Sequence, residues 1–211
     1  MYIPDAFRIS DSGTLYDFID RYDFATIVTT TVDGLVASHV PVVLERHPAA
    51  VLRAHVARAN THWHSFDGKA EALVIFQGPH GYVSPTWYAN SPAVPTWNYA
   101  AVHVYGAPRV VDDPLVTRAL LGALVDRYER SRSPSWSAAA APTDFIERLT
   151  AGTVTFEIPI MRIEGKFKLG QNRSLEDRLG TIAGLEREQN VESAALATFM
   201  KTFAAARSGT V

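Results

Sequence analysis

Flat and polar side chains crowd residues 77–106, and their types suit a site for a planar ligand. The segment reads QGPHGYVSPTWYANSPAVPTWNYAAVHVYG and contains Trp87 and Trp97, while Trp63 lies upstream. Aromatic rings offer large, flat contact surfaces, and the glycines and prolines between them restrict the backbone. This composition suits a buried core poorly. It predicts a rigid pocket.

The elements that would position this segment are mostly strands. Residues 24–31 and 35–45 are β-branched runs joined around Asp33-Gly34, which is the strongest short-range signal for a hairpin. Strand-like runs also cover residues 51–57, 71–78, 97–111 and 153–163, and helical spacing marks residues 12–22, 113–130 and 142–149. Ser12 is the expected cap of the first helix. The pattern predicts an α+β fold around an antiparallel barrel with peripheral helices.

The last third of the chain changes character. Residues 175–188 and 192–207 predict two Ala-rich helices, whose apolar stripe must cover either the barrel or a neighbouring subunit. We therefore predict a barrel domain at residues 1–170 and a helical C-terminal extension at residues 171–211. No Gly-rich strand-to-helix turn of the dinucleotide-binding kind is present in the sequence.

The amino-acid composition excludes several classes of function. The chain has 211 residues, with 20 Lys+Arg against 22 Asp+Glu, so no global charge attracts nucleic acid or an anionic membrane. It has no cysteine, which excludes disulfides, thiolate nucleophiles and iron–sulfur ligation. The start MYIPDAFRIS lacks the regions of a signal peptide, and no apolar run suits a membrane span. A cytoplasmic protein without a membrane partner is the expectation.

Four motifs follow one another along the chain. They are HVARAN at residues 55–60, ALVIFQGPHGYVSPTWY at 72–88, VPTWNYAAVHVYG at 94–106 and EGKFKLGQNR at 164–173. Together with the start MYIPDAF they resemble the PaiB family, FMN-binding proteins often called negative transcriptional regulators. The resemblance extends to about residue 184. It implies a split β-barrel of the pyridoxamine-phosphate-oxidase-like kind, which forms a homodimer and holds FMN at the subunit interface.

FMN combines a dianionic phosphate, a polar ribityl chain and a flat ring, so its site needs cations or amides at one end and a flat apolar surface at the other. Arg58 and Asn60, with His55 nearby, are the first candidates for the phosphate and ribityl contacts. The alternative for Arg58 is a solvated strand-edge residue. The resemblance adds the following candidates for cofactor contacts: Gln77, His80, Tyr82, Ser84, Trp87, Trp97, Asn98, Lys168, Gln171 and Asn172.

Structural alternatives remain open for several of these residues. His80 and Ser84 would equally suit a tight turn whose side chains satisfy its own backbone. Trp97 would also suit a packed interface, and Asn172 a helix cap. The chain also departs from the family pattern: Gly170 stands where the family has a serine, and the loop at residues 89–93 is short and lacks the usual lysine.

Three histidines, His55, His62 and His64, lie within ten positions and suggest a metal or a haem. No carboxylate is spaced with them and strand alternation would separate them, so no metal site is predicted. Haem, FAD and a deazaflavin remain alternatives to FMN. Hydrolase chemistry has no support, because cysteine and a G-x-S-x-G motif are both absent.

Two classes of function remain. The first is a flavin-binding transcriptional regulator with DNA as partner, although no helix-turn-helix pattern is visible and residues 192–207 contain only Lys201 and Arg207 as cations. The second is a flavin-dependent oxidoreductase that uses NAD(P)H and a small substrate. No catalytic residue is assigned, although His80 and Tyr82 are nearest in sequence to the expected ring.

Overall fold

The fold is taken from a computed structural model that describes residues 1–208, with side chains up to residue 206. Residues 209–211 of the predicted C-terminal extension lie outside the described residues. The side chain of Arg207, one of the two cations of the last predicted helix, also lies outside them.

Ten strands and five α-helices form within residues 1–208. The strands are β1 (Arg8–Ile9), β2 (Phe24–Thr31), β3 (Gly34–Pro41), β4 (Val43–Glu45), β5 (Val51–Ala57), β6 (Ala72–Val83), β7 (Thr96–Gly106), β8 (Arg109–Val110), β9 (Thr153–Pro159) and β10 (Arg162–Lys168). The helices are α1 (Ser12–Arg21), α2 (Pro114–Glu129), α3 (Thr143–Ala151), α4 (Leu175–Arg187) and α5 (Val191–Ser208).

Two compact units divide the chain. Unit 1 contains residues 1–15, 77–102 and those from 164 onward, and unit 2 contains residues 16–76 and 103–163. Strands β6 and β7 contribute residues to both units. The predicted division at residue 170, between a barrel domain and a helical C-terminal extension, stays a prediction.

Unit 2 is built on antiparallel pairing. Strands β2 and β3 form a hairpin from Phe24↔Pro41 to Thr31↔Gly34, and Gly34 takes a positive φ of 116° that a side chain would strain. Strand β2 also pairs with residues 73–75 of β6. A second sheet has the order β4-β5-β9-β8. Buried residues alternate along β5, so one face of this strand lies in the core and the other carries His55.

In unit 1 the strand order is β1-β10-β7-β6, and Arg8 lies opposite Lys166. Helices α4 and α5 pack on this sheet, because Leu185 and Leu196 both approach Gly81. A β-carbon at Gly81 would lie 3.0 Å from Leu196 Cδ2, so the glycine permits the close approach.

Most sequence-based elements are confirmed, including the strands at residues 24–31 and 51–57 and the DG hairpin. Five details were wrong. Strand β6 continues to residue 83, and the predicted strand at 97–111 ends at residue 106 before β8. The predicted strands at 35–45 and at 153–163 are each two strands. The cap of α1 is Asp11 and not Ser12, since Asp11 Oδ2 accepts from Thr14 N at 2.7 Å.

Candidate functional site

The glycine- and proline-containing segment that suggested a turn is the second half of β6. Burial alternates along the strand up to residue 78, then shifts by one position at Pro79 and His80. Such a shift is typical of a β-bulge, which also accommodates a proline within a strand. As a result His80 and Tyr82 both lie on the exposed face, while Gly81 and Val83 are buried.

Three exposed rings of unit 1 form a continuous patch that we call the aromatic face: His80, Tyr82 and Trp97. The imidazole of His80 stacks on the Trp97 ring at 6.4 Å between centroids, and Tyr82 meets the same ring edge-on at 6.2 Å. Tyr82 remains 46% exposed and Trp97 54% exposed. Large rings so exposed on neighbouring strands mark a binding surface.

Polar groups frame the aromatic face. Gln77 Nε2 lies 3.3 Å from His80 Nδ1. Lys168 Nζ donates to the carbonyl oxygen of Trp97 and to Thr96 Oγ1, each at 2.5 Å. Burial, with a smaller contribution from nearby Lys166, lowers the pKa of Lys168. The structure thus brings Gln77, His80, Tyr82, Trp97 and Lys168 together.

Other candidates of unit 1 have structural contacts. Ser84 Oγ caps the short 3₁₀ helix Pro85–Trp87 by accepting from Thr86 N at 3.2 Å. Asn98 is buried, and its amide lies 3.8 Å from the sulfur of Met200. Gln171 donates to the carbonyl oxygen of Phe167 and accepts from Leu169 N, so its amide is engaged in its own turn. Asn172 is exposed.

Trp87 packs against a notch in α4. A β-carbon at Gly184 would lie 2.2 Å from Trp87 Cδ2, and one at Gly180 would lie 2.1 Å from the Trp87 carbonyl oxygen. The two glycines on one side of α4 therefore admit the tryptophan. This packing fixes the start of the loop at residues 88–95.

Asp177 was missed by the sequence reasoning. Its buried carboxylate oxygen Oδ1 accepts from Ala89 N at 3.0 Å, and from Asn90 N and Asn90 Nδ2 at 3.1 Å each. Asp177 also lies in the first turn of α4, where Ser174 is the cap. The Ser-x-x-Asp spacing signals that cap, but no local signal reveals the contact with residues 89–90.

In unit 2, the Arg58 side chain contacts the end of α3. Its Nε donates to the carbonyl oxygen of Ala151 at 2.8 Å and its Nη2 to that of Thr153 at 3.1 Å. The Arg58 carbonyl accepts from Trp63 Nε1 at 3.0 Å. A cation beside the last carbonyls of a helix is favourable, so Arg58 helps to hold α3 in place.

Asn60 and His62 belong to a buried polar network. Asn60 Oδ1 caps the 3₁₀ helix Thr61–Ser65 through His62 N, and its Nδ2 donates to Ser38 Oγ at 3.1 Å. His62 is 2% exposed, with Nε2 2.8 Å from Thr29 Oγ1 and Nδ1 2.8 Å from Ser38 Oγ. Both ring nitrogens are therefore engaged by hydroxyl groups. Burial lowers the pKa of His62.

His55 lines a cavity of unit 2, and its Nδ1 has no hydrogen-bond partner among the described residues. Burial lowers the pKa of His55 as well. No group of three or more His, Asp or Glu side chains within residues 1–208 is placed to hold a metal ion. Over the same residues, no helix is both long and apolar enough to cross a membrane.

The two buried histidines predict a loss of stability in mild acid. In the unfolded chain each takes up a proton below about pH 6.5, whereas the folded protein resists protonation until the pH is lower. The free energy of unfolding should therefore keep its full value above pH 6.5. Below pH 6.5 it should decrease, by up to about 1.4 kcal/mol per pH unit for each histidine. Thermal melting at pH 7, 6 and 5 measures this.

A His62→Asn variant should show a shallower pH dependence than the wild type, because one of the two titrating groups is gone. Equal melting temperatures of the wild-type protein at pH 7 and pH 5 would contradict the assignment.

Solved structures with the same fold bind flavins. The FAD and heme binding protein from Mycobacterium smegmatis superposes with a TM-score of 0.60 at 19% identity, over 82% of this chain and 78% of that one. The flavocytochrome Anf3 from Azotobacter vinelandii superposes with a TM-score of 0.58 at 16% identity, over 82% and 75%. The fold is the antiparallel split barrel of flavin-binding proteins, and the predicted α+β split-barrel class is confirmed.

Residues 1–162 match the family described as "Putative FMN-binding domain". The protease synthase and sporulation protein PAI 2 of Bacillus subtilis is 31% identical over 202 residues, covering 95% of this chain and 97% of that protein. The chain belongs to this family, the PaiB family of FMN-binding proteins, as its motifs indicated. Its cofactor is a flavin, and FMN fits the domain.

The hydrogen-bond donors and the flat apolar surface present are of the kinds that FMN needs. The aromatic face offers flat apolar surface for the ring, and Gln77 and Lys168 offer donors at its edge. Arg58 and Asn60 carry further donors in unit 2. Which of these residues contact the cofactor stays a prediction.

Proposed function

We propose that the protein binds FMN with its ring against the aromatic face, and that two copies of the chain share each site. The observation that carries this proposal is the exposure of Tyr82 and Trp97, which lie in ring contact with each other on neighbouring strands. Rings of this size are seldom left exposed together unless a ligand or another subunit covers them.

Around the ring, this chain supplies hydrogen bonds of defined chemistry. Gln77 presents an amide that can both donate to and accept from ring carbonyls and nitrogens. Lys168 has a third ammonium proton beyond those used by Thr96 and Trp97. Because these contacts hold the ammonium in place, it can meet an electron-rich edge of the ring with little loss of side-chain entropy.

At the phosphate end, Arg58 keeps one free donor group. Its Nε and Nη2 donate to the backbone carbonyls of Ala151 and Thr153, while Nη1 has no partner within residues 1–208. A guanidinium fixed in this way presents Nη1 in one direction, which suits a charge-assisted hydrogen bond to a phosphate oxygen. Asn60 lies two residues further along the same turn and supplies an amide.

A shared site makes the dimer depend on the flavin. A ligand that contacts both subunits binds the assembled dimer and not the separated chains, so FMN should shift the equilibrium toward the dimer. Analytical ultracentrifugation of dilute protein, with and without FMN, measures the shift. Riboflavin, which lacks the phosphate, is the matched ligand control. A monomer that binds one FMN per chain with undiminished affinity would refute the shared site.

Two uses of the bound flavin follow from different observations. The first is a regulator of transcription, which the name negative transcriptional regulators, often given to the PaiB family, suggests. The charges of α4 and α5 give little support to direct DNA contact, since four acidic residues balance the four cations there: Glu176, Asp177, Glu186 and Glu192 against Arg178, Arg187, Lys201 and Arg207. Regulation through FMN and its redox state would therefore need a further partner or a local basic patch.

The alternative is a flavin-dependent oxidoreductase. The open side of the aromatic face favours it, because a second planar molecule such as a nicotinamide could reach a ring lying there. Bound FMN would supply hydride or electron transfer, and the protein would supply orientation and hydrogen bonds. Anaerobic bleaching of the flavin by NAD(P)H tests the enzyme, and salt-dependent binding of genomic DNA fragments tests the regulator.

A further inference from the structure

A cavity of about 650 Å³ lies in unit 2 between helices α2 and α3 and the outer face of β5. Its volume falls within the range of about 300–1,000 Å³ that is typical of small-molecule sites. The walls are largely apolar side chains, namely Leu121, Leu124, Val125, Trp136, Ile146 and Leu149. The cavity is open to solvent on one side, where Trp136 and Leu149 are each about half exposed.

Gly122 keeps part of this space open. It lines the cavity from the middle of α2, where glycine is a poorer helix former than any residue except proline. A β-carbon built on Gly122 would meet no atom within 4 Å. No neighbour therefore demands a glycine at this exposed position, and there is room for a larger side chain beside the cavity.

One polar group at the cavity lacks a partner. His55 Nδ1 is enclosed and makes no hydrogen bond among the described residues. Directly opposite on β9, the buried Thr155 Oγ1 is also unpaired. Side chains of such cross-strand pairs start about 5 Å apart. Thr155 does not line the cavity, so the inference rests on His55: buried polar atoms are nearly always paired, and its unpaired Nδ1 indicates a missing hydrogen-bonding group.

The chemistry of the missing group follows from the lining. The cavity mouth mixes both signs of charge through Arg118, Asp126 and Glu129, so it does not select a charged ligand. Burial keeps the imidazole of His55 neutral, with either ring nitrogen able to carry the proton. A hydroxyl group both donates and accepts, and so pairs with either tautomer of His55.

We infer that this cavity is a second ligand site, which binds a small, uncharged, largely apolar molecule carrying a hydroxyl group, such as a phenol with a fused or bulky ring. The site is built from unit 2 alone and is additional to the proposed FMN site. Apolar walls bind the ring, and His55 binds the hydroxyl.

The test uses the full chain and two probes, 2-naphthol and naphthalene, which differ only in the hydroxyl group. Equilibrium dialysis should show saturable binding of both probes, with the affinity for 2-naphthol higher at least about fivefold, as expected for one hydrogen bond in a buried site.

Gly122→Leu should lower the affinity for both probes at least about tenfold, because leucine fills the space. Ala123→Leu, on the exposed side of the same helix turn, should change neither. His55→Leu should remove the preference for naphthol.

Folding and cofactor binding are followed in the same samples. Gly122→Leu should keep its melting temperature or raise it, since leucine is the better helix former, and it should bind FMN like the wild type. Undiminished probe binding by Gly122→Leu, or no saturable 2-naphthol binding by the wild type, would overturn the site. Loss of FMN uptake in Gly122→Leu, or displacement of FMN by naphthol, would show that the cavity is part of the flavin site and overturn a second one.

Discussion

Trp97→Ala is expected to weaken FMN binding by roughly five- to a hundredfold while leaving the protein folded. Stacking of a flat heterocycle on an aromatic side chain contributes about 1–3 kcal/mol by alanine substitution, which corresponds to that range of affinity. The ring is 54% exposed, so its removal costs the fold little. The Trp97 carbonyl that accepts from Lys168 belongs to the backbone and is retained. Titration of FMN fluorescence measures the affinity.

Trp136→Ala is the matched control for that experiment. Trp136 is exposed to a similar degree, at 47%, but belongs to unit 2 and not to the aromatic face. Its replacement should leave FMN binding unchanged. If both tryptophan variants bind FMN like the wild type, the ring of the flavin lies elsewhere and the aromatic face has another purpose.

Arg58→Ala is expected to lower the affinity for FMN about ten- to a hundredfold while riboflavin binding hardly changes. A charge-assisted hydrogen bond to phosphate contributes roughly 1.5–3 kcal/mol, and riboflavin has no phosphate to lose. The same substitution removes the contacts with the carbonyls of Ala151 and Thr153, so we also expect a small fall in melting temperature. Isothermal titration with the two ligands separates the effects.

Arg148→Ala serves as the comparison, because it removes an arginine of α3 that forms an exposed ion pair with Asp144. It should lower neither affinity, since exposed ion pairs contribute little. An equal loss of FMN and riboflavin in Arg58→Ala would show that Arg58 acts only by holding the end of α3.

The sequence predicted the strands best where a local rule applied. The β-branched runs around Asp33-Gly34 became the hairpin of β2 and β3 because turn chemistry and strand propensity agree there. The rule that glycine and proline mark turns gave a wrong prediction at residues 77–83. Glycine and proline suggested a turn, but the strand continues through a shift in its alternation at Pro79, and only pairing with neighbouring strands stabilises that arrangement.

The residues of the candidate site were found unevenly for a similar reason. Aromatic composition alone pointed to Trp97 and the segment around Tyr82, and the structure brings these rings together. Asp177 escaped notice because its partners at residues 89–90 are distant in sequence, and a cap signal explained the residue locally. For Trp87, the two glycines of α4 that receive it become meaningful only once the helix packs against the loop.

The absorption spectrum of the purified protein, recorded before and after incubation with FMN and removal of free ligand, tests the central claim most directly. The account predicts two flavin bands, in the near-ultraviolet and the blue, at a stoichiometry of one FMN per chain, and their loss or weakening in Trp97→Ala. A sharp Soret band, or a folded protein that stays colourless after incubation with FMN, would contradict it.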